Sequence, residues 1–293
     1  MPERSFLAGA AEPVIRFGGT RKKFIDPAAC SAYISEMARA GAVKYVLPRT
    51  VRHTGRVSES DWQGMQFFTV SPSDAPAEMR ITYLHGGSYF APPHIFHWDM
   101  LLRLSDLCAA EITVPLYPRA PLRTCSAAYE ELESFVRSAS PDVLMGDSAG
   151  GGLALGLAQV MGSDAPRRIA ALSPWLDAAL DNPDIPMYEA LDVMLGSYGL
   201  RRMARVWAGS LDIRDPRVSP IYGDFSALED IILLVGTHEL FYPDVIKLAD
   251  MLEKQGRRHT LIVGEEMSHV WPCYPMKESR ETVSRLAEML VND

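Results

Sequence analysis

The apolar run Val143-Leu144-Met145 passes through Gly146-Asp147-Ser148-Ala149-Gly150 into a segment rich in alanine and leucine, so the chain must turn from strand to helix within a few residues. A turn that sharp brings the residues two before and two after the serine into close approach, and it holds the serine in a strained conformation. Gly146 and Gly150 meet that demand. Ordinary glycine and serine usage produces the pattern by chance in roughly one chain of this length in ten, so its partners must decide what it means.

Apolar runs that read as strands fall at residues 51–57, 65–70, 80–84, 111–116, 142–145, 168–172, 231–235 and 260–263. Helical signals fill the gaps at residues 123–137, 149–161, 245–255 and 278–290. Such alternation predicts an α/β fold, a mostly parallel eight-stranded sheet with helices on both faces. Two stretches stand outside it. Residues 1–47 contain a helix-like run at 28–39, and residues 177–219 contain Asp181-Asn182-Pro183 and a helical run through Trp207. An insertion after a strand end lies over the functional edge of such a sheet, so both are expected to form a helical cap. The core then comprises residues 48–176 and 220–293.

Upstream of the serine, the strand ending at Leu84 runs into His85-Gly86-Gly87-Ser88. Backbone N–H groups fixed at that point stabilise negative charge developing on a carbonyl oxygen under attack. Gly86 and Gly87 are the expected donors, with the N–H of Ala149 at the start of the following helix as the third. Downstream, Gly236-Thr237-His238-Glu239 follows one strand and Gly264-Glu265-Glu266-Met267-Ser268-His269 follows another. Function collects at the carboxyl ends of parallel strands, where Ser148, an acid and His269 can converge. Histidine suits the base because its unperturbed pKa lies near neutrality, and a carboxylate fixes its tautomer. Glu239 is chosen over Asp244 because it lies only three residues past Gly236; Asp244, after Pro243, reads as the cap of the next helix.

Taken together, His85-Gly86-Gly87, Gly146-Asp147-Ser148-Ala149-Gly150-Gly151, Glu239 and His269 resemble the hormone-sensitive-lipase-like family of α/β-hydrolase esterases. The resemblance spans about residues 80–275, and Tyr117-Pro118-Arg119-Ala120-Pro121 is similar to the Tyr-Arg-Leu-Ala-Pro stretch of that family. It implies a carboxylic ester hydrolase for short acyl chains, without cofactor or metal. Matching positions imply Ser148 as nucleophile, Glu239 as acid, His269 as base, and Gly86, Gly87 and Ala149 as the oxyanion hole. Ser88 stands where the family usually has a third glycine, and Glu239 where it often has aspartate; neither change removes a needed atom. The same machinery serves an amide or carbamate hydrolase, and the same fold without turnover serves a small-molecule binding protein.

With 47% hydrophobic and 23% charged residues and a net charge of −8, the chain reads as an ordinary globular protein whose charge repels nucleic acid. No run approaches the ~18 apolar residues of a membrane span, and the stretch around Arg4 lacks the apolar core of a secretion signal. A cytoplasmic location is expected, with a small-molecule ester as partner and a homodimer left open. Cys30, Cys108, Cys125 and Cys273 have no metal or redox spacing and are expected reduced and buried. His94 and His97 read as the first turn of a helix reaching about Leu107, not as a metal site. Asp147 reads as a backbone hydrogen-bond acceptor, and Asp192 as cap packing. Ser88, Tyr89, Trp98 and Trp175 are the expected substrate-binding residues, among aromatic and sulfur side chains that gather near the mouth.

Overall fold

Strands Val57–Trp62 (β1), Met65–Val70 (β2), Met79–Leu84 (β3), Ala110–Pro115 (β4), Val143–Asp147 (β5), Arg168–Leu172 (β6), Asp230–His238 (β7) and His259–Ser268 (β8) pair into one sheet in the order β1-β2-β4-β3-β5-β6-β7-β8. These coordinates are a computed structural model that describes residues 20–292; residues 1–19, including the start of the expected cap and the stretch around Arg4, and residue 293 lie outside the described residues. The pairs β1–β2 and β2–β4 are antiparallel, and every pair from β4 onward is parallel.

The helices are Lys22–Ile25 (α1), Pro27–Gly41 (α2), Arg49–Arg52 (α3), Ile95–Cys108 (α4), Cys125–Ala139 (α5), Ala149–Met161 (α6), Ile185–Leu191 (α7), Ser197–Ala208 (α8), Tyr242–Lys254 (α9) and Lys277–Val291 (α10). Successive strand residues point to opposite faces, so Leu144, Ile169 and Leu233 pack in a core with α5, α6 and α9, while Val143, Ala170 and Ile232 pack in another with α4 and α10. Burial on both faces is why β5 and β6 are buried at every position. The covering helices present one apolar stripe each. In α5 it is Ala128, Tyr129, Leu132, Phe135 and Val136, at helical spacing. None of the described helices is long and apolar enough to cross a membrane.

The strand expected at residues 51–57 is not formed. Pro48 opens the helical turn α3 instead, Gly55 takes a left-handed φ of 69°, and β1 begins only at Val57. β1 is the sheet's edge, and its solvated residues Ser58-Glu59-Ser60-Asp61 carry little of the alternation by which strands are recognised. Asp244 does not cap a helix either: it lies in the first turn of α9, behind the N-cap residue Phe241, and accepts a hydrogen bond from Asn182 Nδ2 at 2.9 Å. All four cysteines are free and buried.

Asp26 starts α2 by accepting the Ala29 N–H at 2.7 Å, with Pro27 in the first helical position. From there the N-terminal segment and the insertion meet. A Cβ on Gly196 or Gly199 would run into Ile25 or Phe24, so glycine lets α1 lie directly against the start of α8. The Arg21 guanidinium adds hydrogen bonds to the carbonyls of Leu195 (2.9 Å) and Glu189 (2.7 Å). Both segments contribute walls to the cavity that holds Ser148.

Candidate active site

Ser148 sits between β5 and α6 with φ 53° and ψ −122°, a conformation that costs a side-chain-bearing residue free energy. Its surroundings enforce it. The Ser148 N–H donates to Leu172 O at 2.8 Å. A Cβ on Gly146 would collide with the Gly150 carbonyl, and one on Gly150 with the Leu84 carbonyl. The serine therefore projects from the turn at the amino end of α6, where the Ala149 N–H has no partner within the helix.

β7 and β8 deliver the other two side chains to the same edge. His269 Nε2 lies 2.9 Å from Ser148 Oγ, and its Nδ1 lies 2.5 Å from Glu239 Oε2. Glu239 is fully buried, and its Oε1 accepts the Gly236 N–H at 2.8 Å. Ser173, to which no role was attached from sequence, ties the group together: its hydroxyl hydrogen-bonds Glu239, and its Oγ accepts the Val270 N–H at 3.1 Å. Burial alone would lower the pKa of His269, but the hydrogen bond and charge of Glu239 outweigh it and the net direction is upward. The same burial pushes the Glu239 carboxyl up. This arrangement can move a proton from the hydroxyl to the imidazole while the carboxylate steadies the resulting cation.

The loop after β3 corrects one expectation. The Gly86 N–H is not open to a ligand, because it donates to Asp147 Oδ1 at 2.7 Å. Tyr83 OH donates to the same oxygen at 2.6 Å, and His97 Nε2 lies 3.2 Å from Oδ2. The tautomer of His97 follows from the start of α4: its Nδ1 accepts the His94 N–H at 3.1 Å, so the proton sits on Nε2 and points at Asp147. Burial would raise the Asp147 carboxyl, but these partners hold it well below the usual carboxylate range. Asp147 thus accepts from backbone, as expected, and in doing so occupies Gly86. Beyond Gly86 the loop turns sharply, Gly87, Ser88 and Tyr89 all taking positive φ (117°, 55° and 66°). Gly87 and Ser88, not Gly86, line the cavity beside Ser148.

That cavity, about 490 Å³, is lined by Phe24, Tyr33, Phe96, Met194 and Tyr274 as well as by Ser148 and His269. Of the expected substrate-binding residues, only Ser88 belongs to it. Tyr89 stacks on Trp207 at 4.3 Å and on Trp175 at 5.5 Å, and Trp175 stacks on Phe241, forming an aromatic pile beneath the site. Trp98 lies in the core on the other side of the sheet, its Nε1 donating to Tyr45 OH at 2.8 Å. Met187 and Tyr198 are exposed. His94 and His97 do line the cavity, but as a helix cap and as a partner of Asp147. Asp192 does more than pack the cap: Oδ1 accepts the Met194 and Leu195 N–H groups at 2.7 and 2.8 Å, and Oδ2 accepts the Leu240 N–H at 2.9 Å.

The chain is similar to several known proteins. An acetyl-hydrolase of Streptomyces hygroscopicus is 31% identical over 204 residues, covering 66% of this chain and 68% of that protein. A solved structure from Staphylococcus aureus superposes with a TM-score of 0.89 at 24% identity, covering 94% of this chain and 96% of that one. A solved esterase of the bacterial hormone-sensitive lipase family superposes with a TM-score of 0.75 at 21% identity, covering 89% and 96%. The family model described as the alpha/beta hydrolase fold matches residues 81–273, from β3 through the loop after β8 that carries His269, and the chain belongs to that family.

Proposed function

We propose that the protein is a serine carboxylesterase for short acyl chains, with Ser148 as nucleophile, His269 as base and Glu239 as the acid that orients it. The observation that carries the reading is the unbroken line Ser148 Oγ, His269, Glu239, with both imidazole nitrogens engaged at 2.9 and 2.5 Å. His269 Nε2 takes the hydroxyl proton as Ser148 Oγ attacks the ester carbonyl. The oxyanion then forms against the N–H groups of Gly87, Ser88 and Ala149, which strengthen their hold as charge develops. His269 returns the proton to the leaving alcohol, and water activated by the same nitrogen hydrolyses the acyl-enzyme. Ser88 replaces Gly86 in the donor set because the Gly86 N–H is already spent on Asp147.

An apolar cavity of about 490 Å³ walled in part by α1 and the insertion supports a small acyl or alcohol group. Four free, buried cysteines support placing the enzyme in the reducing cytoplasm. Hydrolysis of p-nitrophenyl acetate by a Ser148→Ala variant tests the assignment. The expected loss in kcat is about 10⁴-fold or more, and turnover at the parent rate would refute the nucleophile.

A further inference from the structure

Lys23 is the one lysine or arginine among the described residues that line the Ser148 cavity. Its ammonium stands 4.1 Å from the centroid of the Tyr33 ring and 5.1 Å from that of Phe24, two aromatic walls of the same space. Three nearby cations have oxygen partners: Arg21 bonds two carbonyls, Arg201 two more, and Arg214 pairs with Asp181. Lys23 has none among the described residues. Glu36 acts on it through its charge without forming an ion pair, and burial, the larger effect, lowers its pKa. An ammonium drawn partly out of water and left on ring faces gains more from an arriving anion than a solvated surface lysine does.

His94 supplies a second donor to the same cavity. Its Nδ1 accepts the Phe96 N–H at 3.2 Å, so the ring proton sits on Nε2. Burial, with His97 and the Lys23 charge adding to it, brings the imidazole down to about 4, so the ring is neutral at pH 7 and acts as a donor. Lys23 and His94 line the same cavity. Among the described residues of the wall the one carboxylate is Asp147, and it is already engaged by Gly86, Tyr83 and His97.

We infer that Lys23 and His94 form a carboxylate subsite of the Ser148 cavity, and that the preferred substrate is a small ester bearing a free carboxylate in addition to the scissile bond. One full positive charge and one neutral donor match a single carboxylate. This rests on the ester-hydrolase reading of Ser148 and adds the substrate class to it.

The test compares kcat/KM for carboxylate-bearing and neutral esters in two series. Monoethyl succinate and monoethyl adipate against ethyl pentanoate and ethyl heptanoate place the charge on the acyl side; 4-acetoxybenzoate against its methyl ester places it on the alcohol side. In one of the series the parent protein is expected to favour the carboxylate ester about tenfold or more through KM, with the preference shrinking as salt is raised. Lys23→Met is expected to reduce that ratio at least tenfold, and Lys23→Arg to retain it. A preference for the neutral ester in both series, or a ratio unchanged in Lys23→Met, overturns the subsite. Calorimetric titration of the Ser148→Ala protein with monoethyl succinate and ethyl pentanoate separates the two readings. If no ester is hydrolysed, the hydrolase assignment fails, and this titration alone decides the subsite: tighter, salt-sensitive binding of the half-ester that Lys23→Met weakens supports it, and equal binding refutes it.

Discussion

Asp192 Oδ2 accepts the backbone N–H of Leu240 at 2.9 Å, joining the cap insertion to the residue that follows Glu239. Asp192 is fully buried, and its other oxygen holds Met194 and Leu195, the first of which is a cavity wall. One carboxylate therefore ties the Met194 wall of the cavity to the loop that carries Glu239. Asp192→Asn can keep the contacts at one oxygen but presents an amide donor to the other side, so Leu240 or the cap must give way. A charged hydrogen bond of this kind contributes about 1.5–3 kcal/mol. The variant is expected to melt several degrees lower and to lose roughly tenfold in kcat. The Asp192 charge also adds to the upward shift of His269. Only the neutral imidazole can accept the Ser148 proton, so kcat/KM falls as pH drops through the His269 pKa. In the parent protein that acid limb is expected above pH 6.5; in Asp192→Asn it moves to lower pH. An unmoved limb would show that the charge at 192 does not reach the base.

Asp147 holds Gly86 in the loop proposed to carry the oxyanion donors. Its three partners are a backbone N–H, a phenol and a ring N–H, all donors. In Asp147→Asn one oxygen becomes an NH₂ facing the His97 Nε2–H, and His97 can invert its tautomer only by giving up the His94 N–H that caps α4. The clash of two donors displaces the side chain whose other oxygen holds Gly86, which shifts the donors proposed at Gly87 and Ser88, and loss of one such donor costs about 10²–10³ in kcat. The expected signature is a fall of that size in kcat with a small change in KM, measured on p-nitrophenyl acetate. A kcat within twofold of the parent would detach Asp147 from the loop.

Much of this was legible in the chain because backbone demands leave marks in sequence. Glycines flanking Ser148 mark the sharp turn, and Gly236 and Gly264, which close the apolar runs before Glu239 and His269, pair with each other inside β7 and β8 shortly before those strands end, where the fold brings the three side chains together. The pocket was not legible, since aromatic residues fill cores and pockets alike: Trp98, Trp175 and Tyr89 pack the interior, while Phe24 and Tyr33 from the N-terminal helices wall the cavity. Gly86 looks like its neighbour Gly87 until β3 and β5 pair, which places Asp147 beside it. Ser173 and Lys23 matter through partners distant in the chain, which no local pattern reports.

Asp244 offers a stability test independent of catalysis. Burial, opposed by the Asn182 hydrogen bond and reinforced by the charges of Asp177 and Asp181, raises its carboxyl to about 6, and Oδ2 has no hydrogen-bond partner among the described residues. A carboxyl whose folded pKa exceeds its unfolded value near ~3.9 favours folding when protonated, a contribution lost as pH rises through about 6. Asp244→Asn keeps the shape without the charge. Thermal melts are expected to show the variant more stable than the parent at pH 8 and equal to it near pH 4. A variant less stable at pH 8 would mean that the carboxylate is satisfied after all.

The most direct measurement mixes the protein with p-nitrophenyl acetate, quenches in acid within the first turnovers and maps the acetyl group by mass spectrometry. The account predicts a burst of p-nitrophenol and a single acetyl group on the peptide carrying Ser148, both lost in Ser148→Ala and slowed by several orders of magnitude in His269→Ala. Rapid turnover with no acyl group on Ser148, or acylation that proceeds at the parent rate without His269, would contradict it.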